Sequence, residues 1–337
     1  MDYLNVEPVT TDDEIGRIIH EKILNDLHTG FVLLGEDRTC MPEHFLNYAE
    51  RIKNFEVKNE DVWVASYPKT GTTWTQEMVW MIANNVDIKA GEKSLSDRFP
   101  FLELSSLGDE RKLYKALNLD PSEYEPDSYE FTKDMKSPRF IKTHLPFSLL
   151  PDQFQNGSKT PKIIYVSRNP KDACVSFCHH GRLLEGWRTD LESFAKLYMA
   201  DKVMYGSYWK HILGYWEKRN SLNILFIKYE EMKANLPEVI KKVAKFLEKE
   251  LEEEQIELLT KHLSFESMKN NRAVNVESFV EKLRERNLCV EDGAFMRSGV
   301  VGKYKEELSP ETIKKFDEWI KKNVVGTSFE QEYNLDL

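Results

Sequence analysis

The chain has 337 residues, 41% hydrophobic and 31% charged, a balance typical of a globular protein with a substantial core. Its net charge of -10 disfavours nonspecific nucleic-acid binding and requires any anion site to be locally basic. Residues 1–14 lack the basic start and apolar run of a signal peptide, and no apolar stretch approaches the ~18–20 residues of a membrane span. We therefore expect a cytoplasmic protein without membrane contact, whose cysteines stay reduced: Cys40, Cys174, Cys178 and Cys289.

The order of the predicted elements indicates an α/β fold. Residues 1–50 are interpreted as an irregular N-terminal extension packed on the domain, with a strand or hairpin arm at 30–35. Residues 51–337 then alternate helices with short apolar runs at 62–67, 139–144, 162–168 and 224–229. This alternation predicts a single domain with a central parallel sheet flanked by helices. Ligands of such sheets bind at the carboxyl ends of the strands.

Two helices near the C-terminus have clear start signals. Asn235 and Glu238 resemble a capping box, and Ser309-Pro310 opens the last predicted helix. The residues expected to face inward are Val239, Ile240, Val243, Phe246 and Leu247 in the first helix, and Ile313, Phe316, Trp319 and Ile320 in the second. Residues 92–138 are polar and carry no clear pattern, which is consistent with a lid or a substrate loop.

The loop after the first predicted strand of the sheet is the most informative feature. It reads Tyr67-Pro68-Lys69-Thr70-Gly71-Thr72-Thr73-Trp74, and a helix is predicted from Gln76. Unpaired N–H groups at a helix start, a nearby lysine and a glycine that allows close approach predict a phosphate site. Lys69 precedes Gly71, whereas the nucleotide-triphosphate loop places its lysine after a second glycine, so a kinase or ATPase is disfavoured. An ordinary turn with capping threonines is the alternative for this loop alone.

Two further strand ends carry candidate site residues. Arg168 ends the run at 162–168 and Ser176 lies in the helix after it, so the pair can hold a second phosphate. His144 ends the run at 139–144, two residues after Lys142, whose charge keeps a nearby imidazole neutral and able to accept a proton. The other seven of the eight histidines have no such placement.

Zinc-ligand residue types occur together in Cys174-x3-Cys178-His179-His180, on a predicted helix. Consecutive helical residues diverge by about 100°, so Cys178, His179 and His180 cannot all face one ion. The sequence therefore predicts no metal site.

Four motifs together resemble those of the animal cytosolic sulfotransferases, in a pattern that fits insect members. They are the loop from Tyr67 to Trp74, Lys142-Thr143-His144-Leu145-Pro146, Arg168-Asn169-Pro170-Lys171-Asp172 and Phe295-Met296-Arg297-Ser298-Gly299. The likeness runs from about Asp61 to the final helix. It implies transfer of a sulfuryl group from 3′-phosphoadenosine 5′-phosphosulfate (PAPS) to a hydroxyl or amine of a small molecule such as a phenol, catechol or steroid. The product of the donor is 3′-phosphoadenosine 5′-phosphate (PAP).

The resemblance also implies roles for individual residues. His144 becomes the general base, Lys69 stabilises the departing oxygen, and Lys142 assists at the sulfuryl oxygens. The acceptor is expected against Phe101, Lys142, His144 and Phe147, and no metal is needed. The implied donor-binding residues are Lys69, Thr70, Gly71, Thr72, Thr73, Trp74, Arg168, Ser176, Tyr229, Ser264, Phe265, Met268, Arg297, Ser298 and Gly299.

The chain departs from the family pattern at several positions. Ser298 stands where lysine is usual, which removes one cation near the 3′-phosphate, and Lys303 is a candidate replacement. Leu263 stands where a threonine commonly contacts adenine. The family's dimer segment is not preserved at residues 305–310, so we expect a monomer or a weak homodimer.

Two other functions are compatible with the sequence. One is sulfation of an alcohol followed by elimination of sulfate, as in a retinol-acting relative. The other is a noncatalytic protein that binds PAP or a ligand, although the presence of Lys69, Lys142 and His144 argues against it.

Overall fold

The strands form a four-stranded parallel sheet and a three-stranded antiparallel sheet in this computed structural model, which describes residues 4–10, 12–120 and 127–332. They are β1 (Glu7–Pro8), β2 (Phe31–Leu34), β3 (Thr39–Pro42), β4 (Val62–Ala65), β5 (Phe140–Thr143), β6 (Lys162–Ser167) and β7 (Ile224–Lys228). The strand order is β5-β4-β6-β7 in the parallel sheet and β1-β2-β3 in the other. Each apolar run predicted from sequence contains one strand of the parallel sheet, which confirms the α/β class.

Helices surround the parallel sheet. They are α1 (Glu14–Ile18), α2 (Ala49–Lys53), α3 (Thr72–Ala83), α4 (Leu95–Arg98), α5 (Glu110–Ala116), α6 (Ser128–Asp134), α7 (Asp152–Gln155), α8 (Pro170–Leu184), α9 (Leu191–Met199), α10 (Tyr208–Trp216), α11 (Tyr229–Ala234), α12 (Leu236–Phe246), α13 (Glu253–His262), α14 (Phe265–Asn270), α15 (Glu277–Glu285), α16 (Tyr304–Glu307), α17 (Pro310–Val324) and α18 (Ser328–Glu332). Asn235 and Ser309 cap α12 and α17 as predicted. Within the described ranges, no helix combines the length and the apolarity that a membrane crossing requires.

The parallel sheet separates two hydrophobic cores, because alternate strand residues point to opposite faces. The first core surrounds Trp63 and Tyr165 and includes residues of α8, α9, α10 and α17. The second core surrounds Val64 and Ile164 and includes residues of α3, α12 and α13. Both faces of the sheet are covered, so its strands read as continuous apolar runs rather than as alternating ones.

The first fifty residues are more regular than the sequence predicted. They contain the whole antiparallel sheet, and Phe31–Leu34 is buried along its full length in the first core. The predicted arm at 30–35 contains β2, whereas β1 and β3 were not predicted. The Cys40 amide donates to the Gly206 carbonyl oxygen at 2.6 Å and ties β3 to the rest of the fold. The boundary at residue 50 stays a prediction.

The polar segment at 92–138 contains α4, α5 and α6, joined by turns. Its residues 121–126 lie outside the described ranges. The Phe101 backbone pairs with Lys142 in an isolated parallel bridge, so this segment borders the carboxyl end of β5. A lid role for it stays a prediction.

A buried ion pair lies where β4 and β5 begin. Arg139 and Asp61 are each 1% exposed, and Nη2 of Arg139 lies 2.6 Å from Oδ2 of Asp61. The same guanidinium donates from Nε to Oδ1 of Asp61 at 2.9 Å and from Nη2 to the Glu56 carbonyl oxygen at 2.7 Å. These contacts hold the two strand starts in register.

Replacing Arg139 with methionine should therefore lower the free energy of unfolding by about 3–5 kcal/mol, because it leaves the Asp61 carboxylate buried without its partner. Urea denaturation at neutral pH measures the change. Lys315→Met is the control, because Lys315 is 53% exposed and pairs with Glu311 on one helix surface. An Arg139→Met protein as stable as the control would contradict the role given to this pair.

Candidate active site

The loop after β4 has a backbone that brings it close to α11. Lys69 and Gly71 both have positive φ, +67° and +107°. A Cβ atom at Gly71 would lie 2.8 Å from Cδ2 of Tyr229, so only glycine fits this approach. Gly71 is the N-cap of α3, which begins at Thr72 rather than at the predicted Gln76. The unpaired amides of the first helical turn therefore belong to the loop motif itself.

The hydroxyl groups of this loop have partners within the protein. Thr70 is fully buried, and its Oγ1 donates toward the carbonyl oxygens of Tyr67 at 2.8 Å and Val166 at 3.0 Å. Thr72 Oγ1 lies 2.7 Å from Ser66 Oγ. These two side chains hold the loop against β6 and β4, which leaves the backbone amides as the groups that can face an anion.

His144 lies directly after β5, and its tautomer follows from its contacts. Nδ1 lies 2.7 Å from the carbonyl oxygen of Ser66, which can only accept, so Nδ1 carries the proton. Nε2 is then the acceptor of the ring, and the described residues place no hydrogen-bond partner on it. Burial first, and then the charge of Lys142, hold the pKa of His144 well below its usual range. His144 is therefore neutral and can accept a proton.

Two residues without a predicted role, His211 and Glu103, contact the backbone of His144. His211 Nε2 lies 2.8 Å from the His144 carbonyl oxygen, and Tyr165 lies 2.9 Å from His211 Nδ1. The Glu103 carboxylate accepts from the His144 amide at 2.6 Å and from the Thr143 hydroxyl at 3.0 Å. Glu103 is 1% exposed, and its burial raises its pKa to about 7. No motif in the sequence identified Glu103, although it lies two residues after the predicted acceptor residue Phe101.

Two lysines lie at the carboxyl edge of the sheet, Lys142 near His144 and Lys69 near His180. Burial lowers the pKa of Lys69 to about 7, helped by the charges of Lys142, Arg168 and Arg297. Burial also lowers the pKa of Lys142 to about 8, against the opposing charge of Glu103. The sequence motifs are thus brought together into one cationic cluster.

The predicted acceptor residues separate into two places. The Phe101 ring lies 5.1 Å from the His144 ring and 4.1 Å from Nζ of Lys142, so it borders both residues. The Phe147 ring instead packs on Tyr215 of α10, at 5.5 Å. Phe147 is half-buried there, and its contacts are with α10 rather than with His144 or Phe101.

His180 and His211 also lie at the site, contrary to the expectation that His144 is the one histidine placed there. His180 Nδ1 lies 3.4 Å from Nζ of Lys69, although the two residues are 111 positions apart. His180 is on α8, whose packing against the loop is a tertiary contact without a local sequence signal.

Arg168 follows β6 and faces the same loop. Its guanidinium lies 4.3 Å from the Tyr229 ring centroid and donates to the Lys69 and Val300 carbonyl oxygens at 3.3 Å. Its Nε is buried without a hydrogen-bond partner among the described residues. Ser176 is half-buried at the end of the second turn of α8, further along than the helix start predicted for it.

The C-terminal motif covers the loop from the other side. A Cβ atom at Gly299, where φ is +61°, would lie 2.6 Å from the Phe265 ring. Ser298, Gly299 and Phe265 line one cleft together with Lys233. Lys303 pairs with Glu306 and is not part of that lining, so Lys233 is the lysine that accompanies Ser298. Arg297 Nη1 donates to Glu307 at 2.6 Å.

The predicted donor-binding residues Trp74, Ser264 and Met268 are not among the residues that line this cleft. The Trp74 ring lies 5.6 Å from the Tyr229 ring, and its Nε1 donates to the Leu263 carbonyl oxygen at 2.9 Å. Ser264 caps α14 by accepting from the Ser267 amide, and Met268 is 3% exposed in the second core. Asp172 accepts from the backbone amides of Gly302 at 2.7 Å and Tyr304 at 3.1 Å, which anchors the C-terminal motif to α8.

The cysteine and histidine run on α8 does not gather metal ligands. Cys174 and Cys178 are buried free thiols, and His179 lies between Glu291 at 2.5 Å and Glu307 at 2.7 Å. In the part of the chain that the structure describes, no group of three or more His, Cys, Asp and Glu residues could hold a metal ion.

Comparison with known proteins identifies the family. The sulfotransferase domain model matches residues 59–328. The chain belongs to the sulfotransferase family. This match includes the loop, the His144 and Arg168 strand ends and the C-terminal motif, and it confirms the resemblance drawn from sequence.

The sulfotransferase resembles individual members over almost its whole length. Luciferin sulfotransferase of Photinus pyralis is 51% identical over 332 residues, which are 98% of this chain and 90% of that protein. Sulfotransferase 1B1 of Canis lupus familiaris is 34% identical over 289 residues, covering 85% and 90%. Retinol dehydratase, solved in a complex with retinol and PAP, is 32% identical with a TM-score of 0.85, covering 96% of this chain and 98% of that one.

Gly71→Ala should destabilise this sulfotransferase by about 1–3 kcal/mol, because it combines an unfavourable φ with a contact against the Tyr229 ring. Gly157→Ala is the matched control, since Gly157 also has a positive φ of +69° but has no atom within 4 Å of the position that a Cβ would occupy. Urea denaturation of both variants separates the contact from the backbone strain. Equal losses in the two proteins would contradict the close approach of Gly71 and Tyr229.

Proposed function

We propose that this sulfotransferase uses PAPS as its donor and transfers the sulfuryl group to a hydroxyl, or an amine, of a small molecule. The observation that carries the proposal is the neutral, buried His144, whose Nε2 is a proton acceptor near the cation Lys142, with Lys69 in the same cationic cluster. A base next to fixed cations suits the attack of an O–H group on a strongly anionic donor.

The described residues fit such a donor. The Arg168 Nε is a buried donor that lacks an acceptor, and a phosphate oxygen would supply one. The cationic cluster is locally basic in a chain of net charge -10, as an anion site requires. We propose that the donor is held by Lys69, Thr70, Gly71, Thr72, Thr73, Trp74, Arg168, Ser176, Tyr229, Ser264, Phe265, Met268, Arg297, Ser298 and Gly299.

These residues divide by chemistry. The loop amides and Lys69 suit the phosphosulfate, and Arg168, Ser176 and Arg297 suit the 3′-phosphate. The Trp74 and Phe265 rings suit a flat base. Thr70 and Thr72 contribute through their amides, because their hydroxyls already have protein partners.

PAPS, when bound, supplies the sulfuryl group and leaves as PAP. His144 Nε2 takes the proton of the acceptor hydroxyl, and Nδ1 keeps its own proton, which it donates to the Ser66 carbonyl oxygen. The resulting imidazolium is stabilised by that hydrogen bond. Lys69 donates to the oxygen on which negative charge develops, and Lys142 neutralises charge on the transferred group.

The acceptor is proposed to lie against Phe101, whose ring borders both His144 and Lys142. An aromatic wall suits a phenol, a catechol, a steroid or another flat alcohol. The similarity to luciferin sulfotransferase and to a protein solved with retinol supports a small, ring-containing acceptor. Phe147 is proposed as an outer wall, because it packs on α10.

A dehydratase is the second candidate function. Retinol dehydratase has the same fold over 96% of this chain, at 32% identity. In that reaction the same residues would transfer the sulfuryl group, and sulfate would then leave the product. A noncatalytic PAP-binding protein is a weaker alternative, because Lys69, Lys142 and His144 are all in place.

An acceptor panel with ³⁵S-labelled PAPS distinguishes these functions. Phenols, catechols, steroids and retinoids are each incubated with the protein, and the products are identified by mass spectrometry. We expect at least one labelled sulfate ester. An anhydro product with free sulfate would indicate the dehydratase, and PAP binding without transfer to any acceptor would indicate a binding protein.

His144→Ala should lower kcat by about 10²–10⁴-fold on the best acceptor, because the acceptor proton loses its base. PAP affinity, measured by calorimetry, should change little, since His144 is proposed to act on the acceptor side. His20→Ala, at an exposed histidine of the N-terminal segment, is the control. Undiminished turnover by His144→Ala would exclude His144 as the general base.

A further inference from the structure

We propose that His180, oriented by Glu185, is a positioning residue that accepts a hydrogen bond from Lys69 and holds its ammonium group in place for sulfuryl transfer. This inference rests on the function proposed above, in which Lys69 contacts the donor. It adds a residue outside the four motifs, on α8 eight positions after Asp172.

Lys69 Nζ has two neighbours that define its position. It lies 3.4 Å from Nδ1 of His180 and 4.5 Å from the ring centroid of Phe295. The ring attracts the ammonium group through its face, and the imidazole nitrogen accepts one of its protons. The backbone of Lys69 is in the left-handed region, so the side chain is directed by the loop as well as by these contacts.

The tautomer of His180 follows from the same contact. An ammonium group can only donate, so Nδ1 of His180 holds a lone pair and Nε2 carries the proton. Nε2 lies 3.7 Å from Oε1 of Glu185, and the carboxylate favours a proton on that side of the ring. Burial, followed by the charges of Lys69 and Lys142, holds the pKa of His180 well below its usual range, so the ring is neutral.

Glu185 is held in turn by the N-terminal segment. Its Oε2 lies 2.9 Å from Nε2 of His28, which is 3% exposed. The Glu185 carbonyl oxygen accepts from Nδ2 of Asn25 at 2.7 Å. Residues before position 30 are thereby linked through two side chains to Lys69, although they precede the part of the chain that the family model matches.

The contact matters because the charged groups around Lys69 oppose its charge. Lys142, Arg168 and Arg297 are cations, and their repulsion adds to burial in lowering the pKa of Lys69 to about 7. His180 is the neutral acceptor among these neighbours, and the Glu185 carboxylate lies behind its ring. Removing the acceptor therefore favours the uncharged amine and leaves Nζ less well oriented.

Three variants test the proposal. His180→Phe removes the acceptor but keeps a ring between Phe177 and Phe295, whose centroids lie 6.3 Å and 6.1 Å from that of His180. His180→Asn retains an acceptor oxygen close to the Nδ1 position. His44→Phe is the matched control, because His44 is a half-buried histidine beside an aromatic ring, Tyr48, at 5.8 Å and lies outside the site. Thermal unfolding confirms that each variant is folded.

The readouts are PAP affinity and kcat/KM for PAPS between pH 6 and pH 9. We expect His180→Phe to lose about tenfold in kcat/KM at pH 8, the scale of a hydrogen bond to a charged group. The alkaline limb of its kcat/KM profile, which reports the free enzyme, should move to lower pH, because deprotonated Lys69 becomes more abundant. PAP affinity should follow the same pH dependence. His180→Asn should recover most of the loss.

The possible results distinguish a failure of the role proposed for His180 from a failure of the proposed function. A natural protein that neither binds PAP nor transfers sulfate would overturn the proposed function. If the natural protein does both and the His180→Phe variant has the same pH profile of kcat/KM as the natural protein, the role proposed for His180 is overturned. An Asn variant as impaired as the Phe variant would also overturn it, because the ring rather than the acceptor nitrogen would then be what matters.

Discussion

The hydrogen bond from His144 to the Ser66 carbonyl oxygen is the constraint on which the site depends. It connects the chain leaving β5 with the chain leaving β4, at the edge where adjacent parallel strands end. The carbonyl oxygen can only accept, so the bond decides which ring nitrogen remains free. Ser66 also contacts Thr72 at the start of α3. His144 and the start of α3 are therefore positioned by one residue.

The site concentrates positive charge in an acidic protein, and this arrangement has an energetic cost. The pKa values of Lys69 and Lys142 are both lowered by burial, which means that the folded chain disfavours their charged forms. The anionic donor proposed above would relieve that cost on binding, because its charge favours the charged forms of both lysines. The negative charge of Glu103 opposes this lowering of the Lys142 pKa. The same carboxylate accepts a hydrogen bond from the His144 amide.

Sequence reasoning succeeded where function depends on local motifs. The loop, His144 and Arg168 follow strands with strong apolar runs, so their place at one sheet edge could be predicted before the structure. It failed where contacts are tertiary. His180 and His211 lie on helices far along the chain from their partners, and β3 is buried on all residues and so lacks a strand period. Glu103 lies two residues after the predicted acceptor residue Phe101, but its bond to the His144 amide depends on how that segment packs.

The division of the fold into two cores has a consequence for how this enzyme family diversifies. Trp74 and Met268, which are proposed to hold the donor, belong to the second core with Leu263, whereas Phe101, Phe147 and Phe177 belong to the first. The sheet lies between them, so substitutions on one face have few shared neighbours with those on the other and should be nearly additive. Side chains near Phe101 can therefore be replaced to suit a new acceptor while the packing of Trp74 and Met268 stays largely unchanged.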